Sequence, residues 1–318
     1  MKLKFFFCAG GFFLFFGVLS GILPQMVLPI EPSFLEGKTD GLQRERSEEE
    51  FLRPGPTPME IPAEAIGHMD LYILGGQSNM VGYGEIHPED AEIDPRVLVF
   101  GNDYRWRLAR EPIDDPTGQV DLVSIDIGAG FSCGTTFAKT LLSYNPSAYI
   151  GLIPCAKSGS SIAEWQRNLN ENSLYGSCLK RTLAASPMGR IRGLLFFQGE
   201  TDALDPDLEP QKIKSPSQWG KKFSKFVRDI RSDLKIYDLP IVFAQIGGNK
   251  NSKEFKNWGI VQKEQGKVRL PNCRMIKTDD LSLKDTLHFD RRSYRIIGER
   301  FGKGIIEMMP KAGDKLSR

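Results

Sequence analysis

The chain has 318 residues, 40% hydrophobic and 26% charged, the composition of an ordinary soluble globular protein with enough apolar material for a sizeable core. Its 42 Lys and Arg nearly balance 40 Asp and Glu, leaving a net charge of +2. These charges are scattered rather than gathered in a basic stripe, which excludes a nucleic-acid partner.

The first 30 residues stand apart. Lys2 and Lys4 precede an uncharged run from Phe5 to Leu23, ending at Pro24. A basic start followed by an apolar run reads as a secretory signal peptide or a single signal anchor. The run approaches the ~20 residues that cross a bilayer, and no clean small-x-small cleavage site follows it. Either reading makes the domain secreted, or membrane-anchored on the non-cytoplasmic side. Residues 31–67, rich in Pro, Glu and Arg, read as a flexible stalk. The folded domain is expected over 68–312, with a short tail over 313–318. Cys8 lies in the apolar run; Cys133, Cys155, Cys178 and Cys273 are an even set in the domain, with three disulfide pairings open. There is no C-x-x-C, and three His are too few for a structural zinc site.

Within the domain, short apolar runs alternate with helical patterns. Leu71–Leu74, Val97–Phe100, Tyr149–Ile153, Leu194–Phe197 and Ile241–Ala244 read as strands buried on both faces. The stretch from Thr135 to Tyr144 reads as a helix. From Trp219 to Leu234, the residues Trp219, Phe223, Phe226, Val227, Ile230 and Leu234 form one apolar stripe, with Lys221, Lys222, Lys225 and Arg228 opposite. A last helix from about Ser293 carries Tyr294, Ile297, Phe301 and Ile305 on one face. This alternation predicts a doubly wound α/β domain, whose sites form at the carboxyl ends of the strands.

The residues after the strands are polar. After the first strand comes Gly75-Gly76-Gln77-Ser78-Asn79, and after the third the Ser158-Gly159-Ser160 turn. Gln198-Gly199-Glu200 follows the fourth, and Asp285 with His288 precedes the final helix. A serine nucleophile needs a base to take its proton and a carboxylate to hold that base. Of the three His, His288 alone has a carboxylate three residues before it, so Ser78, His288 and Asp285 form a candidate triad. Ser78 N–H, Gly159 N–H and the Gln198 amide are candidate donors to an oxyanion. Other chemistries fit less well. "GGQSNM" is not G-x-S-x-G, no phosphate-binding glycine loop follows a strand, and the acidic run Glu200, Asp202, Asp205 and Asp207 is ordinary for a loop before a helix.

Taken together, "GGQSNM", "IGLIPCAKSGSSIAEW", "LLFFQGETDA" and "DTLHFD" resemble the four blocks of the SGNH (GDSL-like) hydrolase superfamily. The closest resemblance is to its carbohydrate acetylesterase branch, the sialate O-acetylesterase-related domain that includes plant members. The resemblance covers roughly Asp70 to Met309. It implies a three-layer α/β/α sandwich with a parallel, flavodoxin-like central sheet, no metal and no cofactor. Residue by residue, it implies Ser78 as nucleophile, His288 as base and Asp285 as its orienting carboxylate. Ser78, Gly159 and Gln198 would form the oxyanion hole, with Gln77, Asn79 and Glu200 in support. Two departures fall near the acyl or sugar pocket: "GAGFSCGTTFAKTL" lacks a Gly-Pro before its helix, and Ser158 replaces a usual Gly. The expected function is a serine esterase that removes O-acetyl groups from a carbohydrate through an acetyl-enzyme. The alternatives are a carbohydrate O-acetyltransferase with the same triad and a catalytically silent carbohydrate-binding protein.

Overall fold

The structure, a computed structural model, describes residues 61–309 apart from 93, 209–215 and 249–252. The signal or anchor segment, most of the expected stalk, and the tail lie outside the described residues. Among the described residues no helix is long and apolar enough to cross a membrane. A turn at Ala63–Ala65 buries Ala65 fully against the core, so ordered packing begins a few residues before His68.

Seven strands form one sheet: β1 (Met69–Gly76), β2 (Val97–Phe100), β3 (Trp106–Leu108), β4 (Ile150–Pro154), β5 (Gly189–Phe197), β6 (Ile241–Ala244) and β7 (Cys273–Ile276). Their order is β3-β2-β4-β1-β5-β6-β7, and every pairing is parallel except β2 with β3. Setting aside the β2–β3 hairpin, the remaining strands run second, first, third, fourth, fifth in chain order, the flavodoxin arrangement. The chain leaves β1 for the β2–β4 side of the sheet and crosses back from β4 to β5 on the other side. The crevice between the carboxyl ends of β1 and β5 is therefore the switch point, where ligands bind in such sheets.

Helices cover both faces. The helices are α1 (Ser78–Val81), α2 (Gly134–Tyr144), α3 (Leu174–Ala185), α4 (Trp219–Leu234), α5 (Trp258–Gly266) and α6 (Arg291–Ile306). Successive side chains of a strand point to opposite faces, and β1 shows the result directly. Leu71 and Ile73 join a core with α3, α4 and α5, while Tyr72 and Leu74 join a second core with α2 and α6. The α4 stripe buries Trp219, Phe223, Phe226, Val227 and Ile230, each worth about 1.5–3 kcal/mol of apolar burial. The expected sandwich and the Trp219–Leu234 helix are thus observed. The strands β3 and β7 and the helices α3 and α5 are additions to the sequence reading. The three-residue β3 is too short for a periodicity to show, and β7 is a partly exposed edge strand without a continuous apolar run.

Of the four domain cysteines, Cys155 and Cys178 form a disulfide that ties the end of β4 to α3. Cys133 is buried and Cys273 half-buried, both as free thiols. Burial pushes the Cys133 thiol up to about 12, which keeps it inert.

Candidate active site

The carboxyl end of β1 explains its two glycines. Gly76 has φ +138°, and a Cβ there would lie 2.1 Å from the Phe197 carbonyl oxygen, so only glycine fits beside β5. The chain then turns through Gln77 and starts a one-turn helix whose first residue is Ser78, buried to 4% exposure. As the first N–H of that helix, the Ser78 amide has no intrahelical partner.

Gln77 fastens this turn to the next strand. Its Oε1 accepts from Gly199 N and Thr201 N, each at 3.3 Å, and from Gln198 Nε2 at 3.2 Å. On the other side, the turn after β4 is pinned by Lys157 N–H to the Gly76 carbonyl (3.0 Å) and by Ser160 Oγ to the same oxygen (3.3 Å). Gly159 sits at the tip of that turn with φ +67° and open space where a Cβ would stand. Its N–H donates to no acceptor among the described residues.

The base pair is formed in the loop before α6. His288 Nδ1 lies 2.9 Å from Asp285 Oδ2. Asp285 Oδ1 accepts from Leu287 N at 2.7 Å and His288 N at 2.6 Å, so one carboxylate sets both the ring and the backbone that carries it. Partial burial pushes Asp285 up, but the bond and charge of His288 and the two backbone donors outweigh it and bring the carboxyl down to about 2. Ser78 and His288 are not hydrogen-bonded to each other; Asn79 joins their elements. Its Nδ2 donates to Glu200 Oε1 at 2.6 Å and to the Leu287 carbonyl at 3.3 Å, and its Oδ1 accepts from Tyr294 OH at 2.8 Å. Glu200 is fully enclosed, and burial pushes its carboxyl above the usual range.

The Gln198 side chain, expected among the oxyanion donors, is turned into the protein. It is 0% exposed, and its Nε2 donates to Asp202 Oδ2 (2.6 Å), Ser160 O (2.9 Å) and Gln77 Oε1 (3.2 Å). Its Oε1 accepts from Trp219 Nε1 at 2.8 Å. Both amide hydrogens are spent on the protein, so Gln198 braces the wall behind Gly159 and offers no free donor. Asp202 completes that brace by accepting from Ile162 N at 2.8 Å.

Two residues near the base, Tyr83 and Asp126, had no assignment from sequence. Tyr83 stacks on the His288 ring, centroids 4.5 Å apart and planes within 10°. Its hydroxyl contacts Asp126 Oδ1 at 2.8 Å and Ser158 Oγ at 3.0 Å. The glycines on either side of Tyr83 in "VGYGE" were the one local signal for it; Asp126 had none.

A three-layer sandwich with flavodoxin strand order and a serine at its switch point is the architecture of the SGNH-type hydrolases. The chain belongs to the carbohydrate esterase, sialic acid-specific acetylesterase family, whose model matches residues 68–307. It is 31% identical over 259 residues to the probable carbohydrate esterase At4g34215 of Arabidopsis thaliana, covering 74% of this chain and 90% of that protein. The crystal structure of that plant protein superposes with a TM-score of 0.63 at 26% identity, covering 76% of this chain and 98% of that one. A carbohydrate acetylesterase from Xanthomonas citri (TM-score 0.57, 19% identity, 75% of this chain and 56% of that one) shares the fold. So does NanS (TM-score 0.57, 18% identity, 76% and 98%). The chain is accordingly a carboxylic ester hydrolase of the acetylesterase kind, acting on acetyl esters of carbohydrates.

Proposed function

We propose that Ser78 is the nucleophile of this esterase, with His288 as general base and Asp285 as the carboxylate that orients it. The observation that carries the reading is the Asp285–His288 pair. With Nδ1 bonded to the carboxylate, the ring keeps Nε2 as its free nitrogen. Asn79 holds the loop that bears it against the helix that begins with Ser78. In the first half-reaction His288 Nε2 takes the Ser78 proton as Oγ attacks the acetyl carbon. The same nitrogen then returns the proton to the leaving sugar oxygen. In the second half, water repeats the sequence on the acetyl-enzyme and releases acetate.

The developing oxyanion rests on Ser78 N–H and Gly159 N–H, backbone donors without an acceptor among the described residues, one past the carboxyl end of β1 and one past that of β4. A donor of this kind is worth about 2.7–4 kcal/mol in the transition state. Gln198 contributes by fixing Ser160 and, through it, the turn that carries Gly159. The substrate is an O-acetylated carbohydrate. The Cys155–Cys178 disulfide supports a secreted domain, or one anchored on the non-cytoplasmic side, since such bridges persist in oxidising compartments.

The test is acetate release by the full chain from p-nitrophenyl acetate, acetylxylan, acetylated pectin and O-acetyl sialic acid, with Ser78→Ala alongside. Release from at least one carbohydrate, lost in the variant, is the expected result. Undiminished release by folded Ser78→Ala protein would end this reading.

A further inference from the structure

Tyr83 stands between two parts of the site, the His288 loop and the turn after β4. Its backbone is held on both sides: Gly130 N donates to Gly82 O (2.7 Å), Gly84 N to Phe131 O (3.0 Å) and Phe131 N to Gly84 O (2.8 Å). Its own N–H donates to Tyr294 OH at 3.2 Å. The ring lies flat on His288, and the hydroxyl reaches the turn after β4. A phenol has one proton and a carboxylate only accepts, so Tyr83 donates to Asp126 and the Ser158 hydroxyl donates to Tyr83. Asp126 Oδ2 also accepts from Ser158 N at 2.9 Å, so Ser158 is fixed at two points, one residue before Gly159. Gly128 completes the seat: a Cβ there would lie 2.6 Å from the Tyr83 hydroxyl, leaving no room for a side chain.

We infer that Tyr83, clamped by Asp126 and Ser158, is a positioning residue that couples the orientation of His288 to that of the Gly159 oxyanion donor. This rests on the proposed triad and deepens it. The face of an electron-rich ring favours a cation over a neutral partner. Tyr83 therefore supports the imidazolium that forms when Ser78 gives up its proton, more than the neutral imidazole before it. Ser158, which stands where a glycine is usual, supplies the hydroxyl that ties this ring to the oxyanion turn. The other charged groups around the imidazole are Asp285 on its own loop, Glu200 at the end of β5, and Lys284, whose Nζ lies 6.0 Å from the Tyr83 ring centroid.

The test compares Tyr83→Leu, Tyr83→Phe and Ser158→Gly in the full chain by two readouts. On p-nitrophenyl acetate, Tyr83→Leu is expected to lower kcat about 30-fold with little change in KM, and to move the acid limb of kcat/KM to lower pH. Tyr83→Phe keeps the ring and loses its tether, and Ser158→Gly loses the tie from the other side; each should lower kcat about 3–10-fold. The second readout is independent of turnover. Stacking on Tyr83 shifts the His288 ring protons upfield in NMR spectra, and Tyr83→Leu should return them downfield while the fold persists. Folded Tyr83→Leu with kcat within twofold of wild type, or with unmoved His288 resonances, overturns the inference. Ser78→Ala run in parallel separates the two claims. If it stays active the triad reading fails, whereas the resonances decide the clamp in either case.

Discussion

Asn79 Nδ2 lies 2.6 Å from Glu200 Oε1, and both residues are sealed from solvent. The amide also holds the Leu287 carbonyl and the Tyr294 hydroxyl, so one side chain fastens the nucleophile helix to the end of β5, the base loop and α6. The second Glu200 oxygen has no hydrogen-bond partner among the described residues, and burial raises this carboxyl toward its neutral form. Glu200→Gln keeps the shape and the acceptor without the buried charge, so activity should stay within about threefold of wild type. Glu200→Ala takes from the buried Asn79 amide its shortest acceptor, at a cost of about 1–3 kcal/mol, and should lower kcat about 10- to 100-fold. Steady-state kinetics on p-nitrophenyl acetate distinguish the two.

Asp285 acts on the base alone. Its carboxyl sits at about 2 in the folded protein, so it stays ionised at every pH where the enzyme works, and the acid limb of activity does not report it. A depressed carboxylate stabilises the fold above the unfolded value near 3.9, and that contribution disappears as pH falls toward 2. With a side chain 37% exposed, Asp285 contributes little of this kind, so its removal should be felt in rate rather than stability. Asp285→Asn is expected to lower kcat about 10³- to 10⁴-fold with the melting temperature nearly unchanged. Kinetics and thermal melts on the same sample check both halves.

Asp202 behaves in the opposite sense. Burial raises its carboxyl from 3.8 to about 6, despite the Ile162 N–H and the Gln198 amide that favour the charged form. A raised acid binds its proton more tightly when folded, so the folded state loses stability as pH climbs from the unfolded value through about 6. Each tenfold in proton affinity is worth about 1.4 kcal/mol, so the two powers of ten here amount to on the order of 3 kcal/mol. Asp202→Asn should gain on wild type by up to about that amount between pH 4 and pH 8. Urea unfolding at the two pH values measures it; a difference that shrinks with rising pH would reverse the sign.

The disulfide should contribute to stability through the unfolded chain. Cys155 and Cys178 are separated by 23 residues, and closing a loop of that length is worth about 3 kcal/mol in the chain-entropy account. Cys155→Ser is expected to lower the melting temperature by about 6–12 °C in a domain of this size. Cys273→Ser, a free half-buried thiol, should change it by less than about 2 °C.

Much of this arrangement was legible in the sequence, and the exceptions share a cause. Continuous apolar runs marked β1, β2, β4, β5 and β6, and the Trp219–Leu234 stripe marked α4 with its ends. The order of "GGQSNM", the Ser158-Gly159 turn, "QGE" and D-x-x-H pointed to one end of one sheet. What local pattern does not encode is direction. Gln198 at the end of β5 has the same sequence signature whether its amide faces a ligand or the protein. Asp202 and Trp219, placed by tertiary packing, turn it inward. Tyr83 and His288 meet only because the base loop folds back over the segment after α1. The same holds for Cys155 and Cys178, whose pairing depends on how α3 docks.

The central claim is that Ser78 carries the acetyl group between the two half-reactions. Mass spectrometry of enzyme quenched in acid during turnover of p-nitrophenyl acetate tests it most directly. The expected result is a mass gain of one acetyl group on the peptide containing Ser78, absent in Ser78→Ala. An acetyl group on a different residue, or acetate released at the wild-type rate by Ser78→Ala protein, would contradict it.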